Sequence, residues 1–177
     1  MLLDLLRSRR SIRSFDNKKV ESDKLELLLE AVLRSPSSRS LNPWEFIVVS
    51  DEQTLADLAR AKPHGSAFLK NAPLAIVICA DPAKSDVWVE DASIAALILH
   101  LCAADLGLGS CWIQIRHRQY NDTTSSEAYI REVLAIDNDL SVEAILAIGY
   151  PAEQKTGHDA STLLWGRISH ERFGARK

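Results

Sequence analysis

The sequence has few cysteines, and they are not arranged for joint chemistry. Its 177 residues include only three, Cys79, Cys102 and Cys111. No CxxC pair occurs, and no cysteine lies with histidines at the spacing of zinc ligands, so no metal site is predicted. We interpret all three as reduced thiols in apolar surroundings, which suits a cytoplasmic protein. A reactive thiol at Cys111 is the alternative, and it would require exposure and a lowered pKa.

Long apolar runs are also lacking. The longest, from Ile94 to Ala104, is interrupted by His100 and is shorter than the roughly 20 residues that span a bilayer. The N-terminus has arginines but no apolar core of a secretory peptide. Membrane association is therefore not expected.

Two nucleotide-binding motifs are missing as well, and there is no excess of positive charge. Neither GxGxxG nor GxxxxGK[ST] occurs, which leaves a Rossmann or P-loop site unsupported. The formal net charge is −3, whereas nucleic-acid binding usually needs a basic excess. We expect no nucleic-acid partner.

The composition is that of a folded globular protein, with 46% hydrophobic and 25% charged residues. A chain of this length predicts a single domain over residues 1–177. Period and breaker signals predict helices over 2–8, 23–34 (capped by Asp23), 51–59 (capped by Asp51), 89–105 and 126–135. Strands are predicted over 44–49, 74–80, 110–115 and 142–149.

Helices and strands alternate along the chain, which predicts helices on both faces of a central mixed sheet. The helix over 89–105 is apolar almost all round, so it is expected to be buried. In a chain this small, some of its surface is expected to meet a partner subunit. Trp165 and Phe173 are the expected apolar anchors of the C-terminal tail.

Three segments have residues suited to binding a flat, charged ligand. The first, RRSIRSF over 9–15, combines arginine forks and a serine hydroxyl, which suit phosphate. The second, PSSRSLNPW over 36–44, is a polar loop that leads into a strand. The third, GLGSCWIQ over 107–114, allows close approach of the backbone. Taken singly, the first is better explained as a solvated basic face, or as an arm that binds nucleic acid or membrane, and the second as an ordinary capping and turn segment. The third is equally well explained as a helix end and turn.

Together these segments resemble the nitroreductase family. The order RRSIRSF, SPSSRSLNPWEFIVV, FLKNAPLAIVICADP, EDASIAALILHLCAADLGLGSCWIQI and AILAIGYPAE matches its members over most of the chain. The resemblance implies an α+β fold, a homodimer, and FMN bound at the subunit interface. It also implies an oxidoreductase that uses NADH or NADPH, with the chemistry carried by FMN and no catalytic side chain.

Residue by residue, the resemblance implies that Arg9 and Ser11 hold the flavin phosphate and that Arg13 lies near the pyrimidine edge of the ring. The backbone amide of Gln114 would face the hydride-accepting nitrogen, and a loop would reach the flavin across the dimer. The full set of cofactor-binding candidates is Arg9, Arg10, Ser11, Arg13, Pro36, Ser37, Ser38, Ser40, Asn42, His64, Trp112, Ile113, Gln114 and Arg167.

Some positions depart from the family pattern. Ser40 stands where many relatives have Asn, and Asn42 where they have Gln. Arg167 is the candidate for a basic residue that completes the phosphate site, whereas His64 is equally well explained as a solvated loop residue. The chain lacks the helical insertion of larger relatives.

The expected acceptors are nitroaromatic, quinone-like or other small electron-accepting molecules, reduced in a two-step, ping-pong reaction. A flavin protein of the same fold with other chemistry, such as reductive dehalogenation or flavin processing, or with no turnover, is the alternative. The polar segment 116–126 is expected to form part of the substrate entrance, where Tyr120 could stack on a flat ring. Its alternative is a solvated connector.

Overall fold

The computed structural model describes residues 1–176. Within them the chain forms five α-helices and four β-strands. The helices are α1 (Leu2–Ser8), α2 (Ser22–Leu33), α3 (Glu52–Leu58), α4 (Trp88–Asp105) and α5 (Ser126–Leu134), and the strands are β1 (Trp44–Val49), β2 (Leu74–Ala80), β3 (Gly109–Gln114) and β4 (Ser141–Gly149). Each of these elements was predicted from the sequence to within two residues at either end.

The four strands form one sheet in the order β1-β2-β4-β3, and every neighbouring pair is antiparallel. The α+β fold is thus confirmed, but the prediction of a mixed sheet was wrong. Strands β2 and β3 run in the same direction, since each is antiparallel to β4. Because β4 inserts between them, they never pair, and β3 becomes an edge strand.

Helices cover both faces of the sheet, as predicted. On one face, α3 and α5 pack on side chains such as Val77 and Ile145. On the other, α2 and α4 pack on Ile76 and Leu146. All seven residues of β2 are buried, as expected for a strand covered on both sides.

Helix α4 is less buried than its composition predicted. Its side facing the sheet and α2 is covered, but Ile94 is 41% exposed and Leu97 is 51% exposed. These positions are three residues apart and lie on one side of the helix. The protomer itself therefore leaves an apolar strip of α4 uncovered.

Two helix starts test the capping predictions. Asp51 accepts a hydrogen bond from the backbone N–H of Thr54 at 2.8 Å, which confirms it as the cap of α3. Asp23 was wrongly predicted as the cap of α2, which begins one residue earlier. The Asp23 carboxylate instead accepts from the adjacent Lys24 N–H at 2.9 Å.

The segment after β4 has two short 3-10 turns, Ala160–Thr162 and Trp165–Arg167, and little burial. Leu164, Trp165 and Phe173 are exposed, so the predicted anchors of the tail do not pack within the protomer. Among residues 1–176, no helix has the length and apolar character needed to cross a membrane.

Candidate functional site

The N-terminal arginine segment lies against the beginning of β3, at the open edge of the sheet. Ser11 forms a parallel bridge with Ser110, and the Ile12 N–H donates to the Ser110 carbonyl at 3.0 Å. This approach depends on Gly109, since a Cβ built there would lie 2.8 Å from Ile12 Cβ. The Gly107–Gly109 stretch therefore does more than end a helix, because it allows the arginine segment to pack closely against β3.

A cavity of about 650 Å³ opens at this junction. It is bounded by the arginine segment, the end of α4, the start of β3 and the chain after β4. Its polar lining has three cations and several hydroxyl groups against one carboxylate, Glu153: the other polar residues are Ser8, Arg9, Arg10, Ser110, Gln154, Lys155 and Thr156. A cavity with this lining is suited to an anionic group.

Arg9 is held in this cavity by a buried histidine. Its Nη1 lies 2.9 Å from Nε2 of His100, and Nδ1 of His100 is hydrogen-bonded to Oγ of Ser110. Burial, and secondarily the charge of Arg9, lowers the pKa of His100 to about 4. His100 is therefore neutral near pH 7, so Nε2 accepts from Arg9 and Nδ1–H donates to Ser110.

The guanidinium groups of Arg9, Arg10 and Arg13 have no carboxylate partner among residues 1–176, although nine ion pairs occur there. Arg10 donates to the Thr156 carbonyl, and Arg13 lies over the ring of Phe68. Their positive charges remain uncompensated, which favours an anionic ligand.

Besides His100, two residues of this site were not identified from the sequence. Glu153 accepts from the backbone N–H groups of Arg13 at 2.6 Å and Ser14 at 3.2 Å, and these bonds lower its pKa. Lys155 donates to the Ser11 carbonyl and to Glu153, both at 3.0 Å. Both follow the Gly-Tyr-Pro-Ala stretch. The motif AILAIGYPAE ends at Glu153, but nothing in it indicates these contacts.

Gln114 lies at the other end of β3. The Ile115 N–H donates to the Glu143 carbonyl of β4. The Ser110 and Gln114 carbonyls instead point away from β4, where Ser110 accepts from the Ile12 N–H and Gln114 accepts from Lys62 Nζ at 3.1 Å. Because the direction of backbone groups alternates along an antiparallel strand, the Gln114 N–H also points to the open edge. Ser110 and Gln114 are four residues apart, which corresponds to about 13 Å.

The two residues before Gln114 differ in accessibility. The Ile113 side chain is fully buried in the core, so only its backbone is available to a ligand. Trp112 is half-buried, and its Nε1 donates to Oε1 of Gln114 at 3.0 Å. The Gln114 amide in turn donates to the Arg116 carbonyl at 3.1 Å. These bonds fix the Gln114 side chain along the strand.

The polar loop over 36–42 is held by the first turn of α4. The Ser38 N–H donates to Oδ1 of Asp91 at 2.7 Å. The Ser37 hydroxyl accepts from the Asn42 N–H at 2.9 Å and donates to Oδ1 of Asn42 at 2.6 Å. Ser40 and Asn42 have positive φ angles of 55° and 46°, which non-glycine residues rarely adopt. Pro36, Ser40 and Asn42 are exposed.

Within one protomer, this loop is not brought to the arginine segment. The loop bonds Asp91 and the arginine segment bonds His100. These residues are nine positions apart on α4, which puts them on opposite sides of the helix and about 13 Å apart along its axis. The two predicted parts of the cofactor site are therefore separated by α4.

His64 and Arg167 also lie outside the cavity at Arg9. His64 is exposed in the turn after α3. Arg167 lines a separate surface cavity with Leu164, Gly166 and Arg176. Within the chain, Lys155 is the basic side chain that bonds the backbone of Ser11.

The segment over 116–126 contacts its own protomer. Tyr120 stacks on Tyr129 of α5 with ring centroids 4.1 Å apart and an interplanar angle of 10°. Arg116 lies over the Trp88 ring and 4.0 Å from Glu143, a carboxylate only 4% exposed whose pKa is raised by burial. The Tyr120 ring is therefore already engaged, and the basic start of the segment is its more available part.

The described cysteines are all free. Burial raises the pKa of Cys111, and that of Cys79 to about 12. Thiolate chemistry at Cys111 is therefore disfavoured. Among residues 1–176, no group of three or more His, Cys, Asp or Glu side chains is arranged to hold a metal ion.

Comparison with known proteins gives a consistent set of relatives. A solved structure described as an FMN-dependent nitroreductase from Clostridium difficile is 48% identical, with a TM-score of 0.95, and the match covers 97% of this chain and 99% of that one. A protein of Archaeoglobus fulgidus, named provisionally as an NADH dehydrogenase/NAD(P)H nitroreductase, is 35% identical over 162 residues, or 89% of this chain and 90% of its own. An iodotyrosine deiodinase of Thermotoga neapolitana is 24% identical over 192 residues, covering 93% of this chain and 96% of its own.

The sequence model of the nitroreductase family matches residues 6–65 and 57–150. These ranges include the arginine segment, the polar loop and all four strands. The chain belongs to the nitroreductase family.

Proposed function

We propose that this protein is an FMN-dependent oxidoreductase that uses NADH or NADPH to reduce a small electron-accepting molecule. The observation that carries the proposal is the cavity at Arg9, where guanidinium groups without carboxylate partners lie at one end of the open edge of β3. The relatives named for FMN and for NAD(P)H support the same cofactor and electron donor.

The residues at this edge fit FMN. Arg9 would hold its phosphate, with Lys155 and Arg10 adding positive charge in the same cavity. Ser11, whose backbone carbonyl accepts from Lys155, would add its hydroxyl. The outward N–H of Gln114, about 13 Å along the strand, would donate to the ring. Bound FMN would supply the redox chemistry, accepting a hydride from the nicotinamide and passing reducing equivalents to the acceptor.

We propose that the functional unit is a homodimer and that residues 1–177 act as one domain in it. The exposed strip of α4 with Ile94 and Leu97 is apolar surface of the kind that subunit interfaces cover. The loop with Ser37, Ser38 and Ser40 is separated by α4 from the arginine segment of its own protomer. A partner subunit would bring its loop to the flavin, so that each site uses both chains.

For the acceptor, we propose a nitroaromatic or quinone-like compound reduced in two successive half-reactions at the same site. The cationic start of the segment after β3, with Arg116 over Trp88, would attract an anionic acceptor or the phosphates of the nicotinamide. The relative named as an iodotyrosine deiodinase favours a second candidate, reductive dehalogenation of an aromatic ring.

The test is an anaerobic absorbance titration of the purified protein reconstituted with FMN. We expect about one bound FMN per chain, bleaching of its visible band by NADH or NADPH, and recovery of the band when a nitroaromatic or quinone is added. Recovery only with an iodinated tyrosine would favour dehalogenation. Protein that fails to bind FMN, or bound FMN that neither nicotinamide reduces, would contradict the proposal.

A further inference from the structure

His100 is the one polar residue in the apolar part of α4 from Ile94 to Ala104. It is 8% exposed and belongs to a turn of α4 whose neighbours Leu99 and Ala103 are fully buried. A buried imidazole costs free energy unless its nitrogens are hydrogen-bonded. Both are bonded here, one to Arg9 and one to Ser110.

We propose that His100 is a positioning residue that holds Arg9 in place as an uncompensated cation, so that the guanidinium can bind the phosphate of the cofactor. This inference rests on the proposed function, because it concerns the same cavity. It adds a buried side chain of α4 to a cavity lined by the N-terminal segment, the end of α4, the start of β3 and the chain after β4.

Histidine differs from other hydrogen-bond partners of arginine in the charge of the atom that accepts the bond. A carboxylate at this position would hold Arg9 more strongly, but it would cancel the positive charge and compete with the phosphate. A neutral imidazole accepts one N–H bond through Nε2 and leaves the charge and the other N–H donors free. The side chain of Arg9 is thereby ordered before the ligand arrives, which lowers the entropic cost of binding.

Ser110 completes the arrangement. Its hydroxyl accepts from Nδ1–H of His100, which leaves Nε2 as the acceptor for Arg9. Its backbone carbonyl accepts from the Ile12 N–H. The same residue of β3 thus fixes both the tautomer of His100 and the course of the arginine segment.

Substitutions of His100 separate positioning from mere packing. His100→Asp keeps a partner for Arg9 but neutralises its charge, and His100→Gln keeps a neutral acceptor. Leu99→Ala is the control, because it removes packing from the same turn of α4 without contacting Arg9. The measured quantities are the dissociation constants for FMN and for riboflavin, which lacks the phosphate, and the rise in melting temperature caused by inorganic phosphate.

For the wild type, we expect FMN to bind more tightly than riboflavin and phosphate to raise the melting temperature. His100→Asp should weaken FMN binding by at least about tenfold, as expected for loss of a charge-assisted contact, with riboflavin binding unchanged and no phosphate effect. His100→Gln should keep most of the FMN affinity and most of the phosphate effect on the melting temperature. Leu99→Ala should keep the ratio of FMN to riboflavin affinity. If His100→Asp fails to fold, His100→Phe, which removes the acceptor, should lose the same discrimination.

An unchanged FMN-to-riboflavin ratio in His100→Asp and His100→Phe, with wild-type protein that binds FMN, would overturn the inference and leave the proposed function standing. Wild-type protein that binds no FMN, but is stabilised by phosphate in a His100-dependent way, would overturn the proposed function and support the role of His100. Wild-type protein that neither binds FMN nor is stabilised by phosphate would overturn both the proposed function and the role of His100.

Discussion

Asp91, in the first turn of α4, accepts a hydrogen bond at 2.7 Å from the backbone of Ser38, a residue 53 positions earlier in the chain. Its other oxygen accepts from the hydroxyl of Ser85 at 2.9 Å. The carboxylate is nearly inaccessible, at 2% exposure. One buried side chain therefore fixes the shape of the loop that we propose to reach the flavin of a partner subunit.

Asp91→Ala is expected to lower the free energy of unfolding by about 1–3 kcal/mol, because two donors lose a charged acceptor in a buried place. Urea unfolding would measure the change. Asp86→Asn is the matched control, since Asp86 pairs with Arg39 on the exposed side of the same loop, where ion pairs contribute about 0–1 kcal/mol. Equal losses in the two variants would contradict the role given to Asp91.

Gly109→Ala is expected to displace the arginine segment from β3. The added methyl group would lie 2.8 Å from Ile12 Cβ, which is too close, so the Ile12 residue would have to shift. We expect a lower melting temperature together with weaker FMN binding. Gly166→Ala is the control, because the nearest atom to its added methyl group is the end of Arg176, at 3.7 Å. Wild-type FMN affinity in Gly109→Ala would show that the contact between Ile12 and Gly109 does not position the arginines.

Much of the fold could be predicted from local sequence signals. The β-branched runs of β1, β2 and β4, and the cap at Asp51, depend on residues close in the chain, and they were correct. The pairing of the strands was not predictable in this way, since β4, the last strand, inserts between two earlier ones. Part of the surface of α4 was expected to meet a partner subunit, but composition alone does not tell which side of an apolar helix its own chain leaves exposed.

The candidate site divides along the same line. The arginine segment and Gln114 were identified from motifs, and the structure brings both to the open edge of β3. His100, Glu153 and Lys155 act through contacts made more than 90 residues away in the chain, and no local pattern marks such contacts. The stacking of Tyr120 on Tyr129 of α5 was not predicted either, since the two residues are nine positions apart on different elements.

Stability is expected to depend on pH through His100. Its pKa is about 4 in the folded protein against 6.5 for the free group, so the unfolded chain takes up the proton first as the pH falls. The stability that depends on His100 being neutral is fully present above pH 6.5. It is lost as the pH falls from 6.5 to 4, at up to about 1.4 kcal/mol of unfolding free energy per pH unit.

Chemical denaturation of the wild type and His100→Gln at several pH values measures this slope. The variant should have the shallower dependence between pH 6.5 and 4. Glu21, whose pKa is lowered to about 2 chiefly by its hydrogen bond to Lys18, contributes in a separate window below pH 4.5. Identical slopes for the two proteins between pH 6.5 and 4 would show that His100 is not held neutral.

Leu97→Glu is expected to convert a homodimer into monomers, because it introduces a charge into the exposed apolar strip of α4. FMN affinity should fall with it, since each proposed site uses a loop of the other chain. Light scattering and flavin fluorescence would measure the two effects. Val48→Glu is the control on β1, at the opposite edge of the sheet, where the side chain is 39% exposed. A wild-type monomer that binds FMN would contradict the shared site.

The binding of FMN and riboflavin to Arg9→Ala, compared with the wild type by fluorescence titration, tests the central claim most directly. We expect the substitution to weaken FMN binding by at least about tenfold, because a charged hydrogen bond to phosphate is lost, and to leave riboflavin binding nearly unchanged. Equal losses for the two ligands, or none for either, would contradict a phosphate site at Arg9.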